Sequence, residues 1–174
     1  MNRLRFARVR DVKTPSRSNE GDAGLDFYMP WDLKREDISW NGMININPNI
    51  EGETVCLIEM APHARVLIPS GIRVLLEPKS SMLTAANKSG LATKKGLIFT
   101  AQVVDSPYTG EVHIGIFNTS DHYVQIQRGE KLTQFIHVPI YLTTPEEISL
   151  TEYEELAETW GTRGIKGFGS SDNQ

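Results

Sequence analysis

The sequence is poor in most features that would announce a function. It carries one cysteine, Cys56, among 174 residues, so no disulfide can form within the chain, and this suits a reducing, cytoplasmic compartment. Cys56 lies in an apolar stretch (Val55, Leu57, Ile58), where a lone thiol reads as packing. Long apolar runs are missing: none approaches the roughly 20 residues needed to cross a bilayer, and the first residues lack the apolar centre of a signal peptide. A soluble, intracellular protein with no membrane partner is expected. Positive charge is not in excess either. Eighteen Lys and Arg against 22 Asp and Glu give a net charge of −4, which offers no footprint for nucleic acid. The basic run Arg3, Arg5, Arg8, Arg10 and Lys13 is interleaved with Leu4, Phe6 and Val9, and reads as a strand with one solvated basic face. The four histidines (His63, His113, His122, His137) show no ligand spacing, which argues against a protein-held zinc site. The Walker P-loop, the G-x-S-x-G elbow and H-E-x-x-H are all absent.

What is present is a run of short apolar or alternating segments bounded by Gly, Pro, Asn and Asp. Arg65–Leu76 reads as two strands broken at Pro69-Ser70-Gly71, Gly96–Val104 as one strand, and Lys131–Tyr141 as another. Glu111–Asn118 alternates, with Val112, Ile114 and Ile116 on one face. Many short strands with frequent turns indicate an all-β barrel or sandwich. Only Ser149–Trp160, with its Glu-rich face, suggests a short helix. Two regions look less like core. Trp31–Glu59 has weak periodicity and Asn- and Gly-rich breaks, and reads as an inserted hairpin or excursion. The tail from Trp160 is rich in Gly and Ser, too poor in apolar surface to fold alone, and reads as a mobile arm of residues 161–174 on a domain of residues 1–160.

Five segments hold polar, small or charged residues where a plain β-protein needs only turns. Asp22-Ala23-Gly24-Leu25-Asp26 sets a carboxylate after a glycine turn. Asn87-Lys88-Ser89-Gly90-Leu91 offers a cation, a hydroxyl and an approachable backbone, the parts of a phosphate cradle. Val103–Gly110 places Asp105 at the end of an apolar strand, with Tyr108 in the following turn. Gly129-Glu130-Lys131 leads to Gln134 in an otherwise apolar strand. Arg163-Gly164 and Gly167-Phe168-Gly169-Ser170-Ser171 give the tail a guanidinium, a ring and two hydroxyls.

In this order the segments resemble the five motifs of the homotrimeric dUTPase family, from about Arg3 to Asp172, interrupted mainly at Trp31–Glu59. Arg-Gly-x-x-Gly-Phe-Gly-Ser-Ser at the C terminus is the most specific of them. The resemblance implies a β-clip type barrel or jelly-roll and hydrolysis of dUTP to dUMP and pyrophosphate, by water attacking the α-phosphorus. Asp105 resembles the general base, since an ionised carboxylate can take the proton of an attacking water. Tyr108 resembles the aromatic that packs on deoxyribose, and Gln102 and Val104 belong to the hairpin that reads uracil through its backbone. Lys88, Ser89 and Gly90 resemble the motif that holds the α- and β-phosphates, and Gln134 the glutamine on the phosphate chain. Arg163 is similar to the γ-phosphate clamp, Phe168 to the ring covering uracil, and Gly169 and Ser170 complete the cap. Asp26 resembles the acid that reaches Mg²⁺ through water, the metal being held mostly by the triphosphate. The family's sites draw on three chains, so a homotrimer is implied, with the arm closing a neighbour's site.

The chain departs from the pattern in places. Lys79-Ser80-Ser81 competes with Lys88-Ser89-Gly90 for the second motif: the preceding Pro78 favours the first, while the spacing to Asp105 and the following Leu91-Ala92-Thr93 favour the second. Either puts Lys where the family usually has Arg, keeping the charge but losing the bidentate fork. Gln102 stands where many members have Gly, and Thr109 replaces an Arg. Two other functions share the frame: a dCTP deaminase, for which no matching Glu follows the hairpin, and a nucleotide-dependent regulatory binder with a protein partner at residues 31–59.

Overall fold

The computed structural model describes residues 3–49 and 51–161. Two compact units are formed, Met1–Tyr141 and Leu142–Gln174. The first is all-β, as the segment pattern predicts. Its strands are β1 (Arg3–Arg8), β2 (Leu25–Tyr28), β3 (Ser39–Asn41), β4 (Ile44–Pro48), β5 (Val55–Met60), β6 (Arg65–Glu77), β7 (Ser81–Ala86), β8 (Leu97–Phe99), β9 (Val103–Asp105), β10 (Glu111–Asn118), β11 (Val124–Gln127) and β12 (Lys131–Pro139). They form three sheets, ordered β1-β6-β10-β8 with β3 also on β6, β11-β5-β4, and β2-β12-β7-β9, and every pairing is antiparallel. One core joins them. Alternation on β10 buries Val112, Ile114 and Ile116, which meet Ile68, Val74, Leu83 and Phe135 from the neighbouring strands in the same apolar cluster.

Three expectations change. Arg65–Leu76 is one strand, not two. The turn signal at Pro69-Ser70-Gly71 is local, whereas β10 pairs along both halves and absorbs the irregularity as a register shift between Glu111 and His113. Gly71 takes φ +73°, and its N–H donates to Glu111 Oε1 at 2.7 Å, so the kink leaves no orphan donor. Second, Gly96–Val104 is two strands in different sheets: β8 pairs with β10, β9 pairs with β7, and Thr100–Gln102 crosses between them. Third, Trp31–Glu59 does contain a hairpin, β4–β5, but its β5 is the central strand of its sheet. Leu33, Ile38, Val55 and Ile58 from this stretch are in the core. A 3₁₀ turn at Arg35–Asp37 precedes β3, and Arg10 ties it to β10 through Asp37 (3.1 Å) and Glu111 (2.9 Å). Arg10 is therefore a structural bridge and not part of a solvated face.

In the second unit, α1 (Leu150–Trp160) forms where the Glu-rich periodicity predicts it. The Ser149 hydroxyl caps it by accepting the Glu152 N–H at 3.2 Å. Among the described residues no helix is long and apolar enough to cross a membrane.

Candidate active site

The sheet β2-β12-β7-β9 positions most of the residues singled out above. At one end of β7, Ala86 pairs with Gln134 of β12, and Gln134 pairs in turn with Asp26 of β2. The chain leaving β7 there runs directly into Asn87-Lys88-Ser89-Gly90, followed by a π-helical turn at Leu91–Lys95 that closes on Gly96 at φ +67°. Asp22, Ala23, Lys88, Ser89, Gly90 and Gln134, with Lys131, line an open cavity of about 550 Å³. The first, second and fourth segments thus converge on one place. Two glycines belong to it for different reasons. A Cβ on Gly24 would meet Gln134 Oε1 at 2.5 Å, so only glycine lets β2 approach the glutamine. A Cβ on Gly90 would meet nothing within 4 Å, so its surroundings in this chain do not demand glycine.

Asp26 is 2% exposed and is the charged centre of the cavity wall. Its Oδ1 pairs with Lys88 Nζ, and its Oδ2 with Lys131 Nζ at 2.6 Å and with the Ser18 hydroxyl at 2.9 Å. Lys131 also donates to Ser18 Oγ at 2.9 Å. Burial alone would push the Asp26 carboxyl up, but hydrogen bonds from Lys131, Lys88 and Ser18 outweigh it and hold the group below the usual carboxylate range. The same contact from Asp26 raises Lys131. A carboxylate oxygen accepts about two hydrogen bonds. Oδ2 is therefore saturated, Oδ1 faces an ammonium, and Asp26 does not line the cavity. No cluster of three or more His, Cys, Asp or Glu suited to a metal occurs among the described residues.

Asp105 lies elsewhere. It closes β9 opposite Met82, at the other end of β7, about 13 Å of strand from Ala86 at ~3.3 Å per residue. Its carboxyl is exposed, and the Tyr108 N–H closes the turn on its carbonyl at 3.0 Å. Tyr108 is 45% exposed, and its hydroxyl donates to the Glu111 carbonyl at 2.8 Å. Gly110 permits this fold-back, since a Cβ there would stand 2.5 Å from the hydroxyl. Gln102 and Val104 sit beside Asp105: Gln102 accepts the Ala85 N–H at 2.7 Å, and Val104 pairs with Leu83.

The competing Lys79-Ser80-Ser81 stretch belongs to this second end of β7, where Ser81 pairs with Pro139. Ser81 is buried, donates to the Pro78 carbonyl at 2.5 Å and meets His137 Nε2 at 2.8 Å. With the hydroxyl hydrogen spent on Pro78, His137 must donate, so this Ser–His pair is not an activated nucleophile. Of the two stretches, Lys88-Ser89-Gly90 is the one that shares a cavity with Gln134. Arg163, Phe168, Gly169 and Ser170 lie outside the described residues. Sequence reasoning assigned nothing to Lys131 or Ser18. A lysine opening an apolar strand three residues before Gln134 was the available signal, but its partner on β2 is visible only once the strands pair.

Comparison with known proteins bears on this arrangement. The dUTPase family model matches residues 53–172. A protein of Mycolicibacterium vanbaalenii named deoxyuridine 5'-triphosphate nucleotidohydrolase is 30% identical over 165 residues, covering 93% of this chain and 89% of its own. One of the same name from Legionella pneumophila is 31% identical over 171 residues, covering 95% and 91%. Among solved structures, a mutant dUTPase of Staphylococcus bacteriophage 80alpha with dUpNHpp superimposes with a TM-score of 0.71 at 21% identity, over 98% of this chain and 99% of that one.

Proposed function

The chain belongs to the dUTPase family and is a dUTP diphosphatase, and from that premise we propose how its own residues divide the work. The cavity between β2, β12 and the Lys88 turn receives the triphosphate, with Lys88, Ser89, Gly90 and Gln134 on the phosphate chain. The observation that carries this reading is the convergence of three separate segments on one cavity of about 550 Å³ whose wall bears two lysine ammoniums. Asp105 takes a proton from the water that attacks the α-phosphorus. The new P–O bond forms as the bond to the bridging oxygen of the β-phosphate breaks, and pyrophosphate leaves with that oxygen. Tyr108 packs on the deoxyribose, while Gln102 and Val104 flank the uracil. Mg²⁺ would be held mostly by the triphosphate itself and would supply neutralisation of the phosphate charge.

Asp105 and the cavity lie at opposite ends of β7, so one chain does not bring base and phosphate together. This supports a homotrimer in which the Asp105 hairpin of one protomer serves the cavity of the next. Arg163, Phe168, Gly169 and Ser170 of an arm would cap the nucleotide. The test is turnover of dUTP, dTTP, dCTP and UTP with Mg²⁺. Pyrophosphate release from dUTP at least a hundredfold faster than from UTP or dCTP is expected. Equal turnover of UTP would overturn the Tyr108 assignment, and ammonia release from dCTP would overturn the reaction.

A further inference from the structure

We propose that Lys131 is a phosphate-binding residue, and that Asp26 is the buried anchor that pairs it with Lys88 so that two ammonium groups face the triphosphate. The inference rests on the reading of the cavity given above and adds a residue and a positioning role to it.

A lysine ammonium has three N–H donors. Lys88 spends one on Asp26; Lys131 spends two, on Asp26 and Ser18. Three N–H donors remain on the cavity wall with no acceptor among the described residues. A carboxylate shared by two ammoniums leaves the trio with a net charge of plus one. Of the other acids on the rim, Glu130 holds Lys95 at 2.5 Å and the Gln127 N–H at 3.0 Å, while Asp22 accepts two bonds from neutral Asn19 and keeps its charge. Both lysines line the cavity, whereas Asp26 lies behind them at 2% exposure.

Position favours the same conclusion. Lys131 and Gln134 stand three residues apart on β12, and Asp26 faces Gln134 directly across the β2–β12 pairing. Asp26 thus fixes the lysine on its own neighbouring strand as well as the one arriving from the Lys88 turn. A single lysine is a point charge on a flexible stem and orients a phosphate poorly. Two lysines restrained by one buried carboxylate recover some of that definition. A structural role alone would require only that Lys131 neutralise Asp26, which Lys88 and Ser18 already do in part.

The experiment measures binding of dUpNHpp with Mg²⁺ by calorimetry to the full-length protein and to Lys131→Met, Lys131→Gln and Lys131→Arg. Lys131→Gln keeps a donor for Asp26 and Ser18 without the charge, which guards against misfolding of the Met variant. Thermal unfolding establishes that each variant is folded. In Lys131→Gln the Kd rises about tenfold, the loss expected for one charge-assisted hydrogen bond. Its affinity also becomes less dependent on salt, and Lys131→Arg restores binding. An unchanged Kd and unchanged salt dependence in folded Lys131→Gln would overturn the inference while leaving the cavity assignment standing. Failure of the wild-type protein to bind dUpNHpp would instead overturn the assignment itself.

Discussion

The two ends of strand β7 are built on different terms. At the Ala86 end, Asp26, Lys88, Lys131, Ser18 and Gln134 are tied to one another within a single chain, with the acid buried. At the Met82 end, Asp105 and Tyr108 are largely exposed and held by backbone turns. The first end is preorganised by its own side chains. The second has its backbone set and its carboxyl uncommitted. On the proposed reading, the charges meant for the ligand are paired in advance, while the carboxyl meant to react is left without a side-chain partner.

That contrast can be broken most severely at Asp105. Asp105→Asn should lower kcat by a factor of about 10²–10⁴, the usual worth of a general base, while binding of dUpNHpp and the melting temperature stay as they were. Steady-state pyrophosphate release alongside calorimetry measures both, and a loss of affinity matching the loss of rate would show that Asp105 binds and does not act as a base. Next in size is Asp26→Asn, which should do the reverse and act first on stability. Taking the acid from between two ammoniums costs about 2–3 kcal/mol, read from urea unfolding at neutral pH. Because the fold holds Asp26 below its ordinary 3.8, its contribution is fully present above that value and is lost as pH falls through the lower folded value. The variant should therefore lose less stability on acidification than the wild type does. The smallest effect belongs to His137, at the Met82 end. Burial lowers its pKa from 6.5, so the unfolded chain takes up the proton first, and stability falls as pH drops from 6.5 toward the folded value. His137→Gln should remove that gentle slope from a series of melting curves between pH 5 and pH 7.

Local pattern carried much of this architecture. The alternation of Glu111–Asn118 gave β10 with its apolar face, and the Glu-rich period of Ser149–Trp160 gave α1, because each depends on residues next to one another in the chain. The failures were non-local. Pro69-Ser70-Gly71 reads as a break until β10 is laid alongside it, and Thr100–Gln102 reads as strand until two sheets claim its flanks. Trp31–Glu59 looked peripheral because the partner that makes β5 central, β11, lies far downstream. The site divides in the same way. Lys88 and Gln134 stood out by residue type and order, and the structure brings both to one cavity, while Asp105 ends its strand as the pattern predicts. The ion pairs of Asp26 were not legible, since only the antiparallel pairing of β2 with β12 brings Lys131 to it.

Strand β6 has a consequence for how this protein is made. It takes β1 along its C-terminal half, β3 along its N-terminal part and β10 on its other side. Synthesis delivers β1, β3 and β6 early, but β10 leaves the ribosome only after the Lys88 turn and the Asp105 hairpin have emerged. Until then the longest strand among the described residues presents one unpaired edge, of the kind that recruits other unfinished chains. The nascent polypeptide is therefore most exposed to aggregation between the emergence of β6 and that of β10, and a translational pause in that interval would lengthen the exposure.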